Sequence, residues 1–219
     1  MKKTYLAALA TCALFAGNAH ADELYAGFDA GLANLNSNWT SVLCCPSPES
    51  EAVTASGFIG GVHAGINHYD GQWMFGVESD LDFTNVSTGF DGGEGLGVNL
   101  DFLGSLRGRL GVQTGTIMPY LTAGLAVGDF GYNQLGTEFV PNFLGTGGSM
   151  RETKIGFVGG AGVEMALAKG WTGRAEALYY GFGTTSGRLS SSNGLTEDFT
   201  ADGNVFVARV GVSYDLSSW

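Results

Sequence analysis

The sequence predicts an all-β protein, specifically an eight-stranded antiparallel up-and-down transmembrane β-barrel. Three observations predict this fold. Apolar and polar residues alternate in long stretches, the connections between those stretches alternate between short and long, and 37 of the 219 residues are glycine. Alternation with period two is typical of a strand whose two faces meet different environments. Glycine at more than twice its usual share of about 7% favours tight turns and a crowded barrel interior over a helical fold.

Eight segments carry the strand pattern. The predicted strands are Leu24–Ala33, Ser56–Asn67, Gln72–Thr84, Leu96–Gln113, Met118–Phe130, Glu152–Leu167, Trp171–Thr184 and Asn204–Leu216. Three connections are short, and the first contains Asp70-Gly71, a strong hairpin signal. The other connections are longer and polar. Short turns at one end and long loops at the other are typical of outer-membrane barrels, whose turns lie in the periplasm.

The direction in which each strand faces follows from its alternation. Between Leu96 and Val112 the even positions are apolar or glycine, whereas the odd positions carry all the charges. We therefore expect the even positions, including Leu100 and Phe102, to face lipid. The alternative is a soluble barrel with the apolar face inside, but the outward set assigned in this way contains no charge. Trp73, Trp171 and Tyr214 are expected to form an aromatic girdle near the turns.

The inward face predicts a network of charged side chains. Its members are Asp29, His63, Glu78, Asp80, Asp82, Asp101, Arg107, Arg109, Glu164, Arg174, Glu176 and Arg209. An eight-stranded barrel is just wide enough to be filled by side chains, and buried ions must be paired there. Arginine suits this task because its guanidinium bonds two carboxylates in fixed geometry. The expected result is a plugged lumen, and a narrow ion path through the same residues is the alternative.

The two ends of the chain carry export and assembly signals. Lys2, Lys3, the apolar run that follows and the A-x-A site ending at Ala21 predict a signal peptide over residues 1–21. The barrel domain then spans residues 22–219, and we expect it in the outer membrane of a Gram-negative cell.

Gly211, Tyr214 and Leu216 form the candidate assembly signal of the last strand. Tyr214 and Leu216 are two residues apart and share the predicted lipid face. We expect the outer-membrane assembly machinery to recognise this strand.

Composition argues against several functions. The net charge of −11 argues against a nucleic-acid partner. Cys44 and Cys45 are adjacent, which predicts a vicinal disulfide, with metal binding as the alternative. Only His63 and His68 follow the signal peptide, and neither is expected near the outer rim, where a barrel hydrolase needs a histidine. We therefore expect no enzyme activity, no cofactor and no metal.

Three stretches also resemble known strands. Residues 105–111, 119–126 and 171–183 are similar to strands of the small outer-membrane β-barrel proteins that include alphaproteobacterial surface antigens, often called porin-family proteins, related in fold to OmpA and OmpX. The resemblance implies a role in envelope integrity and surface exposure, in contact with outer-membrane lipid and lipopolysaccharide. Weak conductance, adhesion through the loops and haemin binding, for which His63 is the candidate, are its alternatives. The partner of the surface loops is not predicted.

Overall fold

The computed structural model describes residues 23–42, 49–87, 95–135, 149–190 and 196–217. The predicted signal peptide, with its expected cleavage site at Ala21, lies outside the described residues, as do Cys44 and Cys45. Within the described part, no helix has the length and apolarity needed to cross a membrane.

The described residues form eight antiparallel strands that close into one barrel. Each strand pairs with the next along the chain, and the last pairs with the first. This arrangement confirms the predicted fold. The strands are β1 Glu23–Val42, β2 Glu49–Asp70, β3 Trp73–Ser87, β4 Gly95–Val112, β5 Ile117–Leu135, β6 Ser149–Ala168, β7 Trp171–Ser190 and β8 Thr196–Asp215.

The three short connections lie together at one end of the barrel, which we call the turn end. Each contains a glycine in the left-handed region: Gly71 at φ 61°, Gly115 at φ 65° and Gly170 at φ 73°. Residues with a Cβ rarely adopt this conformation, so glycine permits the tight reversal. The opposite end, where the long connections leave the strands, is called the loop end.

Several strands extend further toward the loop end than the sequence predicts. The β1–β2 pairing continues to Ser41 opposite Glu49, and the β7–β8 pairing to Ser190 opposite Thr196. A transmembrane strand needs only about 9–11 residues. The extra residues were predicted as loops because they lie beyond the apolar belt. Their outward side chains do not contact lipid there, so the apolar alternation that indicates a strand is absent.

The barrel wall divides in two near the loop end. Within the described strands, β6 pairs with β7 only from Phe157 toward the turn end, and β2 pairs with β3 only from Ile59. Beyond these points one sheet continues through β7, β8, β1 and β2, and another through β3, β4, β5 and β6. A bulge in β7, with Gly183 at φ 65°, accompanies the separation from β6.

A belt of large apolar side chains covers the outer face, as predicted. Its members include Phe28, Leu32, Phe58, Phe75, Val77, Phe83, Leu121, Leu125, Ile155, Phe157, Phe206 and Val210, which are 49–78% exposed. Trp73 and Trp171 stand exposed near the turns, and the ring of Tyr214 lies 5.0 Å from that of Trp171. A water-soluble barrel does not leave so much contiguous apolar surface exposed.

On several strands the apolar belt ends at a polar outward residue. On β5 the outer face is apolar from Ile117 to Val127, a stretch that rises about 25 Å when the strand is tilted. This height matches the apolar band of outer-membrane barrels. The next outward residue on β5 is Asp129, while Asn34 on β1 and Asn85 on β3 follow the apolar stretches of their own strands.

A β-bulge makes part of the predicted facing of β4 wrong. Leu100 pairs with Phe130 and Phe102 pairs with Asp129, so Asp101 is an extra residue between them. The extra residue reverses the alternation toward the loop end. Leu100 is therefore buried inside rather than facing lipid, and Asp101 lies on the outer face, paired with Arg151, rather than in the lumen.

The bulge generates a labelling prediction. In a Cys44→Ser/Cys45→Ser background folded into vesicles, we expect Asp101→Cys to react with a water-soluble maleimide. Leu100→Cys should react only after unfolding, because its side chain is enclosed. Mass spectrometry gives the labelled fraction at each position. Preferential labelling at position 100 would contradict the bulge and support an uninterrupted alternation along β4.

Candidate functional site in the barrel interior

Eleven of the twelve predicted network residues meet inside the barrel. Each of the eleven is at most 6% exposed, and Asp101 is the exception described above. They occupy the half of the interior nearer the turn end, where the strands keep the predicted alternation. Six carboxylates, four guanidiniums and His63 therefore share one enclosed space.

Arg107 and Arg174 cross-link the middle of this space. Arg107, on β4, contacts Glu78 on the neighbouring β3, and its Nε donates to Asp80 Oδ2 at 3.1 Å. Arg174, on β7, donates two hydrogen bonds to the Asp29 carboxylate, of 2.9 and 2.6 Å. Its Nη1 also donates to Glu78 Oε2 at 2.6 Å. Since Asp29 belongs to β1 and Glu78 to β3, these contacts span the lumen.

Arg209 and Arg109 extend the network toward the two ends. Arg209 donates from Nη1 to Asp82 Oδ2 at 2.6 Å and from Nε to Glu176 Oε2 at 2.9 Å. Arg109, which is nearer the turn end, donates to Glu164 on β6. Every guanidinium thus has at least one carboxylate partner, as burial of a full charge requires.

Two tyrosines complete the network, and the sequence analysis did not predict them. Tyr25 donates to Glu78 Oε2 at 2.7 Å and accepts from Arg109 Nη1 at 2.5 Å. Tyr120 donates to Glu176 Oε1 at 2.7 Å, and the Arg109 guanidinium lies 4.2 Å from the centroid of its ring. Both tyrosines lie on inward positions of their strands. The alternation that predicts inward charged residues therefore also predicts that these two hydroxyls point into the lumen.

Asp29, His63 and Ser213 form a hydrogen-bonded chain across β1, β2 and β8. His63 Nδ1 lies 2.7 Å from Asp29 Oδ2, and His63 Nε2 lies 2.8 Å from Ser213 Oγ. These are the residue types of a hydrolase triad. Here, however, Asp29 is also held by Arg174, and Ser213 is only 5% exposed. The chain links the strands that close the barrel.

Gly211, a member of the candidate assembly signal, makes room for this cluster. A Cβ built at this position would lie 2.1 Å from Asp29 Oδ1 and 2.7 Å from the Phe28 carbonyl oxygen. Such contacts are too short for any side chain, so glycine is required where Asp29 reaches toward Arg174. The other two members, Tyr214 and Leu216, lie at the turn end, and the Leu216 amide donates to the Leu24 carbonyl at 2.7 Å.

A layer of apolar side chains fills the interior nearer the loop end. It includes Leu35, Ile59, Val98, Leu100, Leu103, Phe130, Val158, Leu178, Tyr180, Phe182, Val205 and Val207, each at most 6% exposed. Phe130 and Phe182 meet edge to face at 5.0 Å. The sequence analysis expected a polar interior throughout and missed this apolar layer. It also missed Lys154, which is buried with its Nζ 5.3 Å from the Phe130 ring centroid.

The interior therefore consists of two layers, one ionic and one apolar, stacked along the barrel axis. Each layer fills its part of the interior by a different physical means. The ionic layer is held by paired charges, and the apolar layer by close packing of side chains that offer water no partner. Among the described residues, no group of three or more acidic, histidine or cysteine side chains is arranged to hold a metal ion.

Comparison with known proteins agrees with this description. The chain belongs to the outer membrane protein beta-barrel domain family, which matches residues 6–215. It is 35% identical to the 31 kDa outer-membrane immunogenic protein of Brucella melitensis, over 74% of this chain and 68% of that protein. It is 32% identical to the 25 kDa outer-membrane immunogenic protein of Brucella abortus, over 70% of this chain and 63% of that protein.

A solved structure supports the fold independently. The crystal structure of Neisserial surface protein A superposes with a TM-score of 0.50, covering 88% of this chain and 97% of that chain, at 16% identity. At that identity the similarity concerns the fold alone. Together with the family match, it identifies this protein as an outer-membrane β-barrel.

The network predicts a large and specific loss of stability. Arg174→Met removes the two hydrogen bonds that Arg174 donates to Asp29 and the one that it donates to Glu78. We therefore expect the free energy of unfolding to fall by about 3–5 kcal/mol. Urea unfolding and refolding in lipid vesicles measures this change.

Lys169→Met provides the matched control for Arg174→Met. Lys169 is exposed in a turn, so its loss should change the free energy by less than about 0.5 kcal/mol. Adding Asp29→Asn to Arg174→Met should cost less than the sum of the two single changes. Equal midpoints for Arg174→Met and the wild type would mean that the guanidinium is hydrated rather than paired.

Proposed function

We propose that this protein is a closed structural barrel of the outer membrane that contributes to envelope integrity and exposes its loop end to the outside. The observation that carries the proposal is the two-layered interior. Ion pairs of Arg107, Arg174 and Arg209 fill one part of the described interior, and packed aromatic and aliphatic side chains fill the other. This filling supports a lumen without a continuous aqueous path.

The immunogenic relatives from Brucella support the surface-exposure part of the proposal. Those relatives are named as immunogenic outer-membrane proteins, and the strands of this chain extend beyond the apolar belt toward the loop end. Outer-membrane lipid and lipopolysaccharide are the partners proposed for the outer face. The assembly machinery is the partner proposed for β8.

The environment of His63 supports a structural role over catalysis or haemin binding. Both ring nitrogens are engaged, by Asp29 and Ser213, and the side chain is fully enclosed. An iron ligand needs a free nitrogen lone pair, and a nucleophilic serine needs access to substrate. Enzyme activity and haemin binding would each require this cluster to open.

Conductance measurements test the closed lumen. In planar bilayers we expect no discrete current steps from the wild type. Phe130→Ala/Phe182→Ala removes two rings from the apolar layer, and Arg107→Ser removes one guanidinium from the ionic layer. Each variant alone should leave the lumen closed, because the other layer is intact. The combined triple variant should conduct, with preference for cations because six interior carboxylates would face three remaining guanidiniums.

The outcomes of this series separate the plug from the pore. Steps from the wild type itself would favour the small-pore alternative. A triple variant that stays closed while still running as a folded, heat-modifiable barrel would show that something other than these two layers seals it.

The proposed recognition of β8 has its own test. Deleting residues 209–219 removes the turn-end part of β8, which pairs with Tyr25–Gly31 of β1. This part of β1 then has an open edge, which hydrocarbon does not tolerate. We expect that chain to be degraded in the periplasm, whereas deleting residues 217–219 should be milder. Heat-modifiable barrel in the outer-membrane fraction, quantified by immunoblot, gives the answer, and equal amounts from both deletions would refute the role of β8.

A further inference from the structure

A cluster of charged side chains stands on the outer face at the upper edge of the apolar belt. Asp101 on β4, Asp129 on β5 and Arg151 on β6 belong to three neighbouring strands. The Arg151 guanidinium contacts Asp101, and its Nε lies 3.5 Å from Asp129 Oδ2. The bulge at Asp101 creates this cluster, since an uninterrupted strand would direct that carboxylate inward.

The height of the cluster matches that of lipid headgroups. Asp129 is the first outward residue beyond the apolar stretch Ile117–Val127 on β5, and Ile155 and Phe157 lie below Arg151 on β6, 78% and 56% exposed. A stretch that rises about 25 Å spans the apolar band of an outer-membrane barrel. The three charges therefore lie where the headgroups of the outer leaflet meet the barrel wall.

Asp129 is enclosed, and one of its carboxylate oxygens has no hydrogen-bond partner among the described residues. Its side chain is only 5% exposed, and the oxygen without a partner there is Oδ1. A buried carboxylate oxygen without a partner is costly. The Arg151 side chain is 59% exposed and Asp101 42% exposed, so a ligand can approach both groups from the membrane side.

The charge of the cluster indicates which ligand it accepts. Two carboxylates and one guanidinium carry a net charge of minus one, which disfavours a lone anion and favours a cation. Mg²⁺ and Ca²⁺ prefer carboxylate and phosphate oxygens, but two carboxylates alone do not complete their coordination. A phosphate that arrives with its divalent cation supplies the missing oxygens and can also accept from Arg151.

We propose that Asp101, Asp129 and Arg151 form a binding site for the phosphorylated headgroup of an outer-leaflet glycolipid, bound together with a divalent cation. The inference rests on the proposed contact between this barrel and lipopolysaccharide, and it assigns that contact to three residues. The cation joins Asp129 and Asp101 to the lipid phosphate, and Arg151 donates to the same phosphate. The acyl chains lie along the exposed apolar surface below.

Lipid binding by the full mature protein tests the site. In detergent micelles with millimolar Mg²⁺, native mass spectrometry should detect bisphosphorylated lipid A bound to the wild type, and a chelator should remove it. Asp129→Asn and Arg151→Gln should each weaken binding by about tenfold. Asp70→Asn and Lys169→Gln make the same charge changes at exposed turn positions and should leave the affinity unchanged.

Two further arms identify the source of the phosphate. Lipid A without phosphate groups should not bind measurably, and inorganic phosphate with Mg²⁺ should not displace bound lipid A. Displacement by inorganic phosphate would overturn the assignment to a lipid. Wild-type affinity in Asp129→Asn and Arg151→Gln, or binding that survives the chelator, would overturn the site itself.

The same preparations separate this inference from the proposed function. Heat-modifiability on gels reports that each variant is folded, and bilayer recordings report that its lumen is closed. If both properties hold while lipid A binding does not depend on Arg151, the site is refuted and the closed structural barrel stands. Because Arg151 is an exposed side chain, Arg151→Gln keeps the test available even if Asp129→Asn folds poorly.

Discussion

Hydrocarbon provides no hydrogen bonds, and this single constraint explains why the polar groups of the chain lie where they do. Every backbone group in the membrane must be paired, so β8 must return to β1 and the sheet must close. Closure creates an interior that the polar face of each strand must fill. The charges collected there are then stable only as pairs, which the four arginines provide.

The junction between β8 and β1 satisfies both requirements, the closure of the sheet and the pairing of the interior charges. Asp29 on β1 reaches across to Arg174 on β7 and also holds His63 on β2, whose ring bonds to Ser213 on β8. Gly211 leaves the space that this carboxylate occupies. The strand that completes the barrel therefore also carries part of the ionic layer, because Arg209 on β8 donates to Asp82 and Glu176.

Local alternation was enough to predict most of the fold and much of the interior site. Eight strands, their order, the glycine turns and eleven of the network residues follow from period-two patterns and turn residues. The bulge at Asp101 was not predictable in this way, because one inserted residue changes the parity without leaving a local signal. The partners of each arginine were also beyond the sequence, since they depend on contacts across the lumen.

The apolar layer was missed for a different reason. A polar interior was predicted along the whole barrel. The strands extend beyond the apolar belt, however, and there the side chains that they bury are apolar. Leu100 was assigned to lipid and is enclosed instead, while Phe182 and Tyr180 fall at the end of a predicted strand where a loop was expected to begin. The proposed closed lumen therefore depends on two layers with different chemistry, and a change that hydrates the ion pairs leaves the packed rings in place.

The central claim is that the interior arginines are paired and shielded from water. The Nε protons of Arg107, Arg174 and Arg209 donate to carboxylates at 3.1, 2.9 and 2.9 Å inside the barrel, whereas Arg151 on the outer face is 59% exposed. Exchange of these protons with solvent, followed by nitrogen-15 NMR of the protein in micelles, tests the claim most directly. The account predicts slow exchange for the three interior arginines and fast exchange for Arg151. Equally fast exchange at all four would contradict it, because the lumen would then be filled with water.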